Sequence, residues 1–419
     1  MPVKSKKFFA VSFVLAASVF LFSCNEKNET DKEGENNITE AVGEIREPVV
    51  SEGIGGYDEE LLDLKNYNLQ YVQDTDAQPC FEWTRMAKSK NGYYYWGEYS
   101  METGNGLLMF FDRATEKTVP VCNKPECSHS DENCNAWFNA ESSVMEGVIE
   151  YNRNIIMFYE GYVYVIGYDF EGNMYLYKVS EDGSTCEQYM KLYKQDTTVP
   201  GDPNSFHFGT PEICIHRGYV YYLEAFESEP RIRRMKMGGD TEEVVFKLTG
   251  ERSNVYRIKP YGDYVFFQAG NFIDDTCTKI EAGVFAYNIN TGEIKLVRKG
   301  VYSDYVIADN KLYYYHDKGT NVYDMVTGKE ERLEGVNSEN EQIYVDSQYV
   351  YVIGSETFNI YDLRGKLVYS VGIDAISGMC DGEYLFIRTV IAGVMEYGGF
   401  AALDISDAVS GDGKWQYLR

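Results

Sequence analysis

Residues 155–165 read IIMFYEGYVYV, and the next apolar stretch, residues 174–178, reads MYLYK. A polar turn, EDG, follows at residues 181–183. The same order of apolar strand, Gly, Asp or Asn turn and Tyr-rich strand returns at residues 305–315, YVIADNKLYYY, and at residues 321–324, NVYD. Short apolar and aromatic runs bounded by turn residues are typical of β-strands. The pattern therefore predicts consecutive antiparallel strands.

Further copies of this pattern run through most of the chain. They are centred on short turns that lead into a tyrosine: Gly92-Tyr93, Gly218-Tyr219, Gly262-Asp263-Tyr264, Ser347-Gln348-Tyr349 and Gly382-Glu383-Tyr384. Seven units over residues 78–419 give about 49 residues each, close to the roughly 40–50 of four-stranded propeller blades. We therefore predict an all-β, seven-bladed β-propeller over residues 57–419, with blades from about residue 78.

The many tyrosines fit the interior of such a ring. The chain has 37 of them, and runs such as YYYW at residues 93–96 fall on predicted strands. Because both faces of an inner strand meet a neighbouring blade, long rings with a polar tip suit these positions. A platform for stacking sugars is the alternative interpretation of the same residues.

The repeat resembles a family of exported propeller proteins of Gram-positive bacteria. Their domain is likened to the propeller of low-density-lipoprotein-receptor-related proteins, and more loosely the repeat is similar to TolB-type propellers. The resemblance covers residues 80–419 and implies the propeller fold. The receptor signature Tyr-Trp-Thr-Asp is replaced here by YWGE at residues 95–98, so no receptor-ligand role is carried over.

The start of the chain predicts export and lipid anchoring. Three lysines precede an apolar run at residues 8–22, which ends just before Cys24. A basic start, a short apolar stretch and a cysteine after the cut are typical of a bacterial lipoprotein signal peptide, residues 1–23. We expect acylated Cys24 to hold the protein on the outer face of the cell membrane. An ordinary signal peptide or an uncleaved anchor is the alternative.

The segment after the anchor and the overall charge restrict the kinds of partner that the protein can bind. Residues 24–56 are mostly polar, which predicts a disordered acidic linker. The chain carries a formal charge of -27, and cleavage of a signal with three lysines makes it about 3 units more negative. Phosphate binding needs clustered Lys and Arg, so we expect no nucleic acid partner. We expect the ligand to be an unknown protein, peptide or glycan.

A cluster of cysteines and one histidine lies at residues 122–138, CNKPECSHSDENCNAWF. Cys122, Cys127, His129 and Cys134 make up a complete Cys3His ligand set for one tetrahedral zinc ion, and four protein ligands indicate a structural site. A similar string recurs in the exported propeller proteins. The alternative is a disulfide from Cys122 or Cys127 to Cys134, since cysteines outside the cytoplasm are usually oxidised. In both cases the loop is placed between the first two units.

The remaining cysteines have no partners at motif spacing, and we expect most of them to be buried thiols. They are Cys80, Cys186, Cys214, Cys277 and Cys380. A strand at residues 80–83 is expected to complete the last blade, because a ring of blades otherwise has an open seam.

The sequence contains no nucleophile elbow, phosphate-binding loop or His-Glu-x-x-His helix, and such motifs carry most of the chemistry that can be read from sequence. We therefore expect a non-catalytic binding module whose ligand lies near the long insertions at residues 135–152, 194–210 and 271–283. The alternative is a glycan-active or other hydrolytic enzyme. It would use the carboxylates of Asp274, Asp275 and Glu281, and His207 is a further candidate.

Overall fold

The residues that the computed structural model describes lie within residues 44–196 and 208–419. The described residues are 48–64, 86–97, 105–131, 133–139, 150–168, 173–194, 212–223, 230–250, 253–274, 279–339, 341–373, 377–390 and 397–418. Several sequence predictions concern residues outside these ranges. They are the signal peptide, Cys24, most of the linker, Cys80, His207, Asp275 and Cys277.

The described strands form seven sheets, one for each predicted repeat, and so confirm the seven-bladed propeller. Strand β1 is Val49–Glu52. The first three blades are β2 to β6 (Met86–Lys88, Gly92–Trp96, Asn105–Asp112, Lys117–Pro120, Trp137–Asn139), β7 to β10 (Glu150–Tyr159, Tyr162–Tyr168, Asn173–Ser180, Cys186–Lys194) and β11 to β14 (Ile213–His216, Tyr219–Leu223, Arg231–Lys236, Glu242–Thr249).

The other four blades follow the same order. They are β15 to β18 (Ser253–Tyr261, Tyr264–Phe272, Ile280–Asn288, Ile294–Lys299), β19 to β22 (Tyr305–Ala308, Lys311–His316, Gly319–Asp324, Glu330–Leu333), β23 to β26 (Gln342–Val345, Tyr349–Ile353, Thr357–Asp362, Leu367–Gly372) and β27 to β30 (Ser377–Cys380, Tyr384–Val390, Tyr397–Asp404, Trp415–Leu418). Helix α1, Ile405–Ser410, lies between the last two strands.

The strand order gives the ring two unlike faces. Within each blade, sequential strands pair antiparallel, and first strands of adjacent blades, such as β7 and β11, are in contact. The turns between strands one and two and between strands three and four therefore share one face, which we call the turn face. The connections between strands two and three and those between blades lie on the opposite face.

Tyrosine hydroxyls join adjacent blades, as expected for rings with a polar tip. Tyr93, Tyr94 and Tyr95 are completely buried. The hydroxyl of Tyr93 donates to a carboxylate oxygen of Asp381 in the seventh blade at 2.6 Å. The hydroxyl of Tyr94 donates to the carbonyl of Glu181 in the second blade at 3.1 Å. These tyrosine side chains therefore hold adjacent blades of the propeller together.

The end of the predicted linker is part of the fold. Strand β1 pairs in parallel with β14, the last strand of the third blade, with Val49 opposite Phe246 and Glu52 opposite Thr249. The prediction of a disordered linker over residues 24–56 is therefore wrong for residues 49–52. A last strand leaves a row of unpaired backbone groups, and β1 satisfies them.

Residues 48–64, which we call the strap, continue along the rims of the third, fourth and fifth blades. Ile54 is buried between the third and fourth blades, and Leu62 and Leu64 are buried between the fourth and fifth. The backbone N–H of Leu62 donates to the carbonyl of Met325 at 2.9 Å. The strap thus seals two seams of the ring with apolar side chains.

The cysteine and histidine loop lies elsewhere than predicted. Strands β5 and β6 both pair with β4, β5 through Met109 to Asp112 and β6 through Asn105 to Leu107. They are two halves of one outer strand, and residues 121–136 form a loop that interrupts it. The predicted position between the first two units is therefore wrong, because the loop belongs to the first blade.

Two other expectations change in detail. The insertion predicted at residues 271–283 is strand at both of its ends, since Asn271 pairs with Glu281 and Phe272 with Ile280. The seventh blade has four strands of its own from residues 377–418, and residues 80–83 lie outside the described part of the chain.

Within the described residues, no helix has the length and apolar character needed to cross a bilayer.

Candidate metal centre and adjoining cavity

The structure brings the four predicted metal ligands together. One ligand atom each from Cys122, Cys127, His129 and Cys134 lies within 4.8 Å of all the others. In tetrahedral zinc sites the Zn–S distance is about 2.3 Å, which places two sulfurs about 3.8 Å apart. The spacing therefore fits a single zinc ion with little movement of the loop.

Tight turns produce this convergence. Glu126 and His129 adopt the left-handed backbone region, with φ of 58° and 53°, which is uncommon for residues other than glycine. The backbone N–H of Cys127 donates to the carbonyl of Lys124 at 3.3 Å, and that of Cys134 donates to the carbonyl of Asp131 at 3.0 Å.

The three thiols differ in their surroundings. Burial raises the pKa of the Cys134 thiol to about 12. Burial also acts to raise the pKa of Cys122, but backbone N–H groups of Lys124 and Asn135 outweigh it, so this pKa lies below its usual value. His129 Nδ1 lies 3.2 Å from Cys134 Sγ. A metal ion binds thiolates, and Cys122 ionises more readily than Cys134.

The structure contains no disulfide among Cys122, Cys127 and Cys134. Cys380 and Cys214 are buried, as the sequence predicts for most of the other cysteines. Cys186 is exposed, which differs from that expectation because it begins an outer strand at the rim.

A cavity of about 850 Å³ lies on the turn face, where turns of the first, second and seventh blades meet. Its lining includes five carboxylates, two cations and three aromatic rings. These are Asp112, Glu181, Asp182, Glu383 and Asp404, then Lys90 and Arg113, then Tyr94, Phe110 and Tyr384. Sequence reasoning missed this cavity because its residues come from turns that are far apart along the chain.

The charges of the cavity do not cancel. Arg113 forms an ion pair with Glu383. Backbone hydrogen bonds, from Thr115 to Asp112 and from Ser184 to Asp182, lower the pKa of both carboxylates. Both therefore remain ionised at neutral pH, and the cavity is negative.

The carboxylates of the enzyme hypothesis are placed differently. Asp274 accepts a hydrogen bond from the backbone N–H of Lys279 at 2.8 Å, which closes its own loop. Glu281 lies on β17, opposite Asn271. Asp275 lies outside the described residues.

Fold and site together define a seven-bladed propeller with a Cys3His loop on its rim. No protein-family model matches the chain, and no curated protein matches it in sequence. Solved structures with a similar fold include a prolyl endopeptidase, at 11% identity and a TM-score of 0.49 over 85% of this chain and 53% of that one. TolB from Acinetobacter baumannii aligns at 12% identity and a TM-score of 0.38, over 66% of this chain and 62% of TolB.

A puromycin hydrolase aligns at 13% identity and a TM-score of 0.48, over 83% of this chain and 56% of the hydrolase. The chain thus spans about half the length of the prolyl endopeptidase that it matches. Similarities at this level of identity concern the fold and carry no argument about activity.

Proposed function

We propose that the protein is a non-catalytic binding module, exported and anchored through Cys24 to the outer face of the cell membrane. The cavity on the turn face supports this proposal most directly. Ligand sites are concave, with aromatic walls and a few placed polar groups, and this cavity has those features. The resemblance to exported Gram-positive propeller proteins and the lysine-rich apolar start of the chain support the location.

The chemistry of the cavity favours a ligand with positive charge. Five carboxylates face two cations, and one of those cations, Arg113, is neutralised by Glu383. The half-buried rings of Phe110 and Tyr384 line the cavity, and they suit the aliphatic stem of a lysine or arginine. The proposed ligand is a basic segment of a peptide or partner protein.

Binding of tetralysine tests this proposal, with tetraglutamate as the probe of opposite charge. Asp112→Asn should weaken tetralysine binding up to about fivefold, as expected for one partly exposed charge. Asp362 occupies the equivalent turn of the sixth blade, where it accepts hydrogen bonds from the N–H groups of Arg364 and Lys366. Asp362→Asn is therefore the matched control.

Both substitutions to asparagine should leave their turns intact. Asn288 already accepts the same kind of backbone hydrogen bonds in the fourth blade. A loss of affinity confined to Asp112→Asn supports the cavity. Equal effects of both variants, or absence of tetralysine binding at low salt, would contradict it. Turnover of a glycan or peptide that Asp274→Asn abolishes in the folded protein would favour the enzyme instead.

The four converging ligands carry a second proposal, a structural zinc ion held by Cys122, Cys127, His129 and Cys134. Four protein ligands complete the tetrahedron and leave no position for a reacting water. Zinc would therefore contribute to the folding of the loop.

A further inference from the structure

The loop that holds the metal ligands also contacts the second blade. Its docking partner is the turn between β9 and β10, residues 181–185. Asn123 Nδ2 donates to Asp182 Oδ2 at 3.0 Å. Asn135 Nδ2 donates to the carbonyls of Gly183 and Ser184 at 2.8 and 2.9 Å. The loop therefore connects the first blade to the second.

The two asparagines are direct neighbours of metal ligands. Asn123 follows Cys122 in the chain, and Asn135 follows Cys134. A metal ion that fixes both sulfurs also fixes the backbone from which both amides project.

Backbone packing at the same place is too close for a side chain. Gly183 has φ of +69°, and a Cβ there would lie 2.3 Å from the carbonyl carbon of Val121 and 2.5 Å from the nitrogen of Cys122. Only glycine tolerates both the left-handed conformation and this approach. The backbone of the turn at Gly183 therefore lies directly against the backbone of Val121 and Cys122, where the metal loop begins.

The other side of this turn forms a wall of the cavity. Glu181 and Asp182 both line the cavity. Asn91 Nδ2 donates to Glu181 Oε1 at 2.9 Å, and Tyr94 donates to the Glu181 carbonyl. The turn thus touches the metal loop on one side and the cavity on the other.

We infer that the metal centre is a clamp between the first two blades, which holds the turn at residues 181–185 and with it the acidic wall of the cavity. This inference rests on the proposed zinc site. Loss of the metal frees the two asparagines, so the turn opens more often and the cavity loses its shape on that side.

Amide hydrogen exchange of the full chain tests the clamp, because exchange reports local opening. The protein is compared with zinc bound, after zinc removal by a chelator under reducing conditions, and after zinc is restored. Exchange at residues 181–185 should rise about tenfold on removal and fall again on restoration. The equivalent turn of the sixth blade, residues 363–366, should not change.

Asn135→Ala separates the clamp from the metal site, because it keeps all four ligands. This variant should bind zinc normally, and its turn should exchange rapidly whether or not zinc is present. Zinc at one per chain with unchanged exchange at residues 181–185 upon chelation would overturn the clamp alone. A chain that binds no zinc under reducing conditions would instead overturn the proposed metal site.

Discussion

The rim of the first blade and the rims of the third, fourth and fifth blades are both covered by additional chain, but by different physical means. The strap uses backbone pairing through β1 and buries Ile54, Leu62 and Leu64. The loop at residues 121–136 brings mainly polar residues and the four proposed metal ligands. Apolar burial stabilises a fold in oxidising and in reducing conditions alike. A polar loop with thiol ligands instead depends on its bound metal for stability.

Because its apolar side chains are buried between blades, the strap should contribute to the stability of the whole ring. Leu62→Ala should lower the free energy of unfolding by about 2–4 kcal/mol, because it leaves a cavity between two blades. Urea denaturation measures this change. Leu61, which is 50% exposed, provides the control, and Leu61→Ala should cost under about 1 kcal/mol. Equal costs for the two variants would show that the strap does not seal the seam.

Loss of one proposed metal ligand should affect the loop at residues 121–136 and not the stability of the whole ring. Cys127→Ser should speed cleavage after Glu126 by a glutamate-specific protease about tenfold, because the loop opens without its metal. Cleavage is followed by mass spectrometry of the folded protein. Cys186→Ser, which removes an exposed thiol near the loop, is the control and should leave the rate unchanged. Unchanged cleavage in Cys127→Ser would indicate that the loop holds its shape without the metal.

The smallest effect is expected for the ion pairs along the strap. Glu59 accepts hydrogen bonds from Arg298 Nη1 at 3.0 Å and from the backbone N–H of Lys299 at 2.7 Å. Because the side chain is partly exposed, Glu59→Gln should cost about 0.5–1 kcal/mol in urea denaturation. Glu60 is 55% exposed and pairs with Lys295, so Glu60→Gln should cost less. A larger loss for Glu60→Gln would reverse this ranking.

The fold was predictable because its signal repeats. Each predicted turn, from Gly92 to Gly382, leads into the second strand of a blade, since alternating aromatic strands and turn residues recur in register. The convergence of Cys122, Cys127, His129 and Cys134 was also predictable, because these residues lie close together in sequence.

The placement of these parts was not predictable. Strands β5 and β6 are short, and only their common pairing with β4 shows that the loop interrupts one strand. The strap has isolated leucines among acidic residues, and its structure comes from tertiary contacts that override local preference. The cavity gathers turns from three blades, so no local motif marks it.

Elemental analysis of the chain decides whether the loop at residues 121–136 is a zinc centre. Protein purified without oxygen should contain about one zinc per chain, and its thiols at Cys122, Cys127 and Cys134 should be reduced. His129→Ala should lower this content while the ring stays folded by circular dichroism. Absence of zinc from the native chain, together with a disulfide between two of these three cysteines, would contradict the account.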